Sequence, residues 1–130
     1  MPSDRNAFHW PATEKTPAIS MDQATGELRM EGCSIPENAD AFFGPLFLKV
    51  EAYCTGPAPE TTVHITLTYF NSSSSKYLLD LFKLLEDLHA TGRSNVRVLW
   101  HHMPDDLDME EAGQDYRSLL EFPVELVALR

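Results

Sequence analysis

The sequence predicts a single α/β domain with a mostly parallel central sheet, an N-terminal β-hairpin and helices packed on the sheet. Three observations lead there. Two short alternating runs flank a turn signal near the start, as in a hairpin. After them, apolar periodicity switches repeatedly between two residues and three to four, giving the order β-β-α-β-α-β-α-β. The chain has 130 residues, 43% of them hydrophobic and 23% charged, which suits one domain with one core. Strand–helix–strand alternation then demands parallel neighbours joined by right-handed crossovers.

Residues 1 to about 14 are polar, proline-containing and unpatterned, and are expected to form a flexible N-terminal segment ahead of a domain spanning 15–130. Phe8 and Trp10 are its candidate docking side chains. Pro17 to Met21 and Glu27 to Glu31 alternate, with a turn signal at Asp22–Gly26 between them. Pro36 stops the second strand, and Asn38 can cap a helix running from Ala39 to about Tyr53. Phe42, Phe43, Leu46, Val50 and Tyr53 give that helix its apolar face, while Pro45 predicts a kink or a later start.

Thr61 to Phe70 is the strongest strand, β-branched and alternating, with Val63, Ile65, Leu67 and Tyr69 on one face. Leu78, Leu81, Phe82, Leu85 and Leu88 then follow helical spacing, with Asp80, Lys83, Glu86 and Asp87 opposite. Gly92 ends this helix. Asn95 to His102 is a strand. Asp106 to Leu119 is a helix with an acidic start and with Met109, Ala112, Tyr116 and Leu119/Leu120 inward. Pro123 to Leu129 is the last strand.

Between the best strand and the best helix stands Asn71-Ser-Ser-Ser-Ser75. Loops joining a strand to its crossover helix are about 2–6 residues long, so a free linker does not fit. The unpaired amides of a helix N-terminus favour Asn71 or Ser72 as the cap, with the other serines in the first turn. The same place suits a phosphoacceptor: a phosphate on Ser72 adds about −1.5 to −2 charge where the helix dipole can hold it.

The formal charge is −10, with ten basic residues against twenty acidic ones. Binding to nucleic acid or to an anionic membrane gains from Lys and Arg, so neither is expected. The start, MPSDRNAFHWPATEKTP, has no apolar core of a secretory signal, and no run is long enough to span a bilayer. Cys33 and Cys54 make no disulfide framework and read as reduced thiols of a cytoplasmic protein.

Thr16-Pro-Ala-Ile19, Ser34-Ile-Pro-Glu-Asn38, Tyr69-Phe-Asn-Ser-Ser73 followed by Lys76, the leucine-rich helix ending in Gly92, Val98-Leu-Trp-His101 and Phe122-Pro123 together carry a resemblance. From about residue 13 onward the chain resembles the SiaC-family regulatory phosphoproteins, which are themselves similar to the STAS domains of anti-sigma-factor antagonists. The resemblance implies a STAS-like domain without enzymatic activity or cofactor, switched by phosphorylation at the strand-to-helix turn. A cognate serine/threonine kinase modifies such a protein and a PP2C-type phosphatase restores it. The unphosphorylated form binds and activates a diguanylate cyclase, raising cyclic di-GMP and favouring biofilm growth. The acceptor in the family motif directly follows Asn, which here is Ser72 behind Asn71. The family commonly has threonine there, and with serines throughout this tract Ser73 is the alternative acceptor. A STAS-type antagonist acting on transcription by partner switching is the second function consistent with these residues.

Other constellations carry less. His101 and His102 are adjacent on a strand and point to opposite faces. With Asp105, Asp106 and Asp108 they match neither a HExxH site nor an EF-hand loop, where Glu111 occupies the glycine position. The acids instead suit the start of the next helix. His64 and His89 read as surface or core-edge residues. No GxSxG elbow supports a hydrolase, and Trp10 and Trp100 read as packing anchors.

Overall fold

One sheet of six strands in chain order organises the protein; the computed structural model describes residues 7–129. Its elements are β1 (Ala7–Trp10), β2 (Ala18–Asp22), β3 (Glu27–Ser34), α1 (Ala39–Cys54), β4 (Glu60–Phe70), α2 (Ser72–Ala90), β5 (Asn95–His102), α3 (Leu107–Leu119) and β6 (Val124–Ala128). β1, β2 and β3 pair antiparallel, and β3 to β6 pair parallel. The three parallel crossovers all step the same way across the sheet, so a common hand puts all three helices on one face. Burial agrees: Leu28, Met30, Val63, Ile65, Val96, Val98, Trp100 and Val124 face the helices and are buried. The residues between them, including Arg29, His64, Arg97 and Glu125, form a polar opposite face that is half-buried or exposed.

The sequence expectation of a flexible stretch through residue 14 is corrected at Ala7–Trp10, which is an edge strand registered against Ile19–Asp22. Phe8 and Trp10 lie 4.9 Å apart between ring centroids and pack against the core. Lys49 Nζ of α1 sits 5.5 Å above the Phe8 ring. Four residues are too few to show a period of two by themselves, which is why the strand is invisible in the sequence. Residues 1–6 of the same segment lie outside the described residues.

The hairpin turn closes at Gly26, whose φ of 73° is open to glycine and strained for other residues. A Cβ there would also run into the Glu60 carbonyl oxygen. α1 starts at Ala39, with Asn38 Oδ1 accepting from the Ala41 amide at 3.1 Å. It continues through Pro45 and buries Phe43, Leu46, Val50 and Tyr53. At the other end of the long helix α2, Thr91 is the C-cap and Gly92 follows at φ 76°.

Two inward assignments are corrected. Along β4, Leu67 pairs with Gly32 but Tyr69 pairs with Cys33, so Thr68 is an extra residue in the ladder. A bulge of one residue reverses the alternation beyond it. Tyr69 therefore points out, 58% exposed, and Phe70 turns in, edge-on to Trp100 at 6.0 Å. In α3, Leu119 is 52% exposed and Leu120, just past the helix, takes the buried place. Gly113 lies against Trp100, where a Cβ would come within 2.5 Å of the indole Cδ1. The indole Nε1 donates to the Met109 carbonyl at 2.9 Å, so Trp100 fixes α3 to the sheet.

Candidate functional site: the serine turn

Every helix here follows a parallel strand, so the N-termini of α1, α2 and α3 all open at the C-terminal edge of the sheet. That edge is where α/β sheets expose their loops for function. At its middle is the turn from Phe70 to Ser75. Asn71 is the N-cap of α2: its Oδ1 accepts from the Ser74 amide at 2.9 Å and from the Ser73 hydroxyl at 3.0 Å.

The four serines have four different surroundings. Ser74 is fully buried and tied to β3, its Oγ donating to the Ser34 carbonyl at 2.9 Å and lying 2.8 Å from Ser34 Oγ. The Asn71 amide donates to the same Ser34 carbonyl at 3.1 Å. Ser75 faces α3, where the Tyr116 hydroxyl donates to its carbonyl at 2.9 Å and lies 3.2 Å from its Oγ. Burial pushes the Tyr116 phenol above its ordinary pKa, so it stays a protonated donor at neutral pH. Ser73 is exposed but engaged with Asn71. Ser72 is exposed, and its hydroxyl has no hydrogen-bond partner among the described residues. A rigid first turn of helix, held from both sides, thus presents one free hydroxyl.

Asn71, Ser72 and Ser73 are where the sequence places them. The supports are what it did not reveal: Ser34 stands 40 residues from Ser74 and Tyr116 stands 41 from Ser75, and no local pattern announces either pairing. The Ser34–Asn38 segment now has structural roles. Ser34 anchors the serine turn, Asn38 caps α1, and Glu37 makes a surface ion pair with Lys15 at 3.2 Å.

The other constellations resolve into structure. Asp106 caps α3, its Oδ1 accepting from the Met109 amide at 3.0 Å. His101 and His102 do face opposite ways. His102 is buried and contacts the Met103 carbonyl at 2.9 Å. His101 stacks on His64 at 6.0 Å across the polar face. His64 Nε2 is 3.8 Å from Glu27 Oε2, too far for a hydrogen bond, and like His101 Nδ1 it is buried without a partner among the described residues. Burial first, and then the Arg29 charge, hold both imidazoles below the ordinary histidine pKa. His89 accepts the Val96 amide at 3.0 Å and joins α2 to β5. Among the described residues no group of three His, Cys, Asp or Glu side chains converges as a metal site needs, and no helix is long and apolar enough to cross a membrane.

Residues 10–129 match the description of the SiaC family regulatory phosphoproteins. The chain belongs to the SiaC family. A protein of Pseudomonas aeruginosa strain UCBPP-PA14, described only as uncharacterized, is 34% identical over 121 residues, 93% of this chain and 95% of the relative. Apo-SiaC from P. aeruginosa superposes with a TM-score of 0.85 at 34% identity, covering 94% of this chain and 98% of that one. SiaC in its crystal complex with the diguanylate cyclase SiaD, which it activates, superposes with a TM-score of 0.88 at 34% identity, covering 94% and 99%. The single α/β domain expected from the sequence is therefore the SiaC fold, with the antiparallel strands at one side and the parallel ones following.

Proposed function

We propose that this protein is a phosphorylation-controlled activator of a diguanylate cyclase. Unphosphorylated, it binds and activates the cyclase; phosphorylated on Ser72 by a serine/threonine kinase, it lets go, and a PP2C-type phosphatase resets it. It acts in the cytoplasm by binding, with no chemistry of its own. Family membership supports the regulatory role, and the SiaC–SiaD complex supports the cyclase as partner.

The observation that carries Ser72 is its isolation within the tract. A kinase needs an exposed hydroxyl it can deprotonate and approach. Ser74 is buried in bonds to Ser34, Ser75 is shared with Tyr116, and Ser73 is donating to Asn71. Ser72 has neither burden. It is also the first residue of α2, where amides and the helix dipole stabilise an added dianion.

The test is intact-protein mass spectrometry after incubation with the kinase, alongside cyclase binding. Ser72→Ala is expected to take up no phosphate while still activating the cyclase, and Ser72→Asp to bind it more weakly. Full phosphorylation of Ser72→Ala would move the acceptor to Ser73. A pulldown from the native cell that recovers an anti-sigma kinase rather than a cyclase would replace the function with partner switching on transcription.

A further inference from the structure

β6 ends the sheet with an open edge. Its inner side is fixed by two bonds, one at each end. The Pro123 carbonyl accepts the Val98 amide at 3.0 Å, and the Leu129 amide donates to the His102 carbonyl at 2.7 Å. In a parallel ladder alternate residues turn both N–H and C=O toward the same neighbour, so Glu125 and Val127 also face β5. Val124, Leu126 and Ala128 therefore point their N–H and C=O groups away from the sheet, and none of these has a partner among the described residues. Edge strands are commonly blunted by Lys, Pro or a bulge. Val124–Ala128 has none of these, and its register with β5 is unbroken. Its one charge, Glu125, is paired with Arg97 at 3.6 Å.

We infer that this edge receives a second copy of the chain, β6 against β6, antiparallel about a two-fold axis at Leu126. With Leu126 opposite Leu126 of the second copy, Val124 stands opposite Ala128 and every outward backbone group is paired. Each Glu125 then lies opposite Val127. Moving the axis to Glu125 sets the two carboxylates opposite each other and leaves Ala128 unpaired, and moving it to Val127 leaves Val124 unpaired. One register alone satisfies the edge.

α3 supplies a second match. Met109, Gly113 and Tyr116 are its buried face, and Ala112, Asp115 and Leu119 line the hollow toward α2. By helical spacing Glu110, Gln114 and Arg117 fall on the remaining side, above the β6 edge. Counted from the loop that joins α3 to β6, Leu126 is two strand residues along and Gln114 five helix residues back, both about 7 Å from it. The axis through Leu126 thus passes level with Gln114, and the two antiparallel α3 helices bring Glu110 of each copy to Arg117 of the other. On a chain of net −10 this stripe is charge-balanced and self-complementary, which is what an isologous contact requires. The pairing goes beyond the function proposed above and does not depend on it. It leaves both serine turns open, at opposite ends of one continuous sheet.

The experiment is sedimentation equilibrium of the full chain from about 10 µM to 1 mM, with circular dichroism to verify folding; wild type is expected to approach twice the chain mass within that range. Ala128 is exposed, and Ala128→Pro removes an outward N–H while touching no bond to β5. This variant is expected to stay at the single-chain mass. Arg117→Glu sets like charges across the helix pair and is expected to raise the dimer Kd about tenfold or more. Glu110→Arg/Arg117→Glu restores opposite charges and is expected to recover the dimer. Wild type at the single-chain mass throughout overturns the pairing, as does an Ala128→Pro chain that dimerises like wild type. A ladder of masses beyond two copies means that β6 meets β1 of the next copy head to tail, and overturns the two-fold axis. No recovery by the double variant overturns the Leu126 register.

Discussion

Removing the Ser74 hydroxyl tests how the serine turn is held. Ser74 has one hydroxyl proton, and it goes to the Ser34 carbonyl 2.9 Å away. In the second contact, at 2.8 Å between the two Oγ atoms, Ser34 must therefore be the donor. Ser74→Ala deletes both bonds. The Ser34 carbonyl keeps the Asn71 amide, but the Ser34 hydroxyl is left at 0% exposure without its acceptor. The lost bond to the carbonyl is worth about 1 kcal/mol and the orphaned Ser34 donor, its own lost bond included, about 1–3 kcal/mol more, so Ser74→Ala is expected to cost about 2–4 kcal/mol. Ser34→Ala removes one bond and strands nothing, because Ser74 still donates to the carbonyl; about 1 kcal/mol is expected. The double variant loses both bonds, about 2 kcal/mol, and has no orphan, so its cost falls short of the summed single costs by about 1–3 kcal/mol. Urea unfolding followed by circular dichroism reads all four free energies. A Ser34→Ala loss equal to that of Ser74→Ala, or single costs that add to within about 0.5 kcal/mol, would refute this assignment of donors.

Three further variants probe the frame that holds the turn and the opposite face of the sheet. Asn71→Ala removes the cap of α2 and the acceptor of Ser73, and about 1 kcal/mol of stability should go with it in the same urea assay. Gly113→Ala forces a methyl against Trp100, for an overpacking loss of about 1–3 kcal/mol visible as a lower Tm and altered tryptophan fluorescence. His64 and His101 both titrate below the ordinary value of 6.5 in the folded protein. The unfolded chain therefore binds protons first as the pH drops, and stability present above about 6.5 is lost progressively below it. The His64→Gln/His101→Gln variant should show a flatter fall below about pH 6.5 in unfolding free energy measured against pH; a fall as steep as wild type would assign that loss to other groups.

What could be read in the sequence was whatever local chemistry decides. Thr61–Phe70 and Leu78–Leu88 each carry ten or so residues of one period, and both elements are where that period puts them. Asn38, Asn71 and Asp106 cap the three helices because short polar side chains before an apolar run have few other uses. The misplaced side chains lie where one residue breaks the count. Thr68 shifts the β4 ladder and sends Tyr69 outward, and α3 ends at an exposed Leu119, leaving the buried place to Leu120 beyond it. β1 was missed because its partner strand, not its own four residues, makes it a strand. At the site, Asn71 and the serines were legible together, whereas the difference between Ser72 and Ser74 depends on Ser34, a residue that only the parallel pairing of β3 with β4 brings near.

If the serine turn is modified as proposed, the tie between Ser74 and Ser34 also constrains the speed of the response. Because α2 is pinned to the sheet at its first turn, adding a phosphate two residues earlier has no loose segment to order or melt. The domain then behaves as a stamp whose face is rewritten, not as a hinge that swings. In the circuit proposed above, no slow structural relaxation would stand between modification and response, so its lag would be set by the kinase, the phosphatase and the lifetime of the complex already formed. A long-lived complex would keep its cyclase running after the kinase is switched on, and tuning that lifetime would tune the memory of the signal.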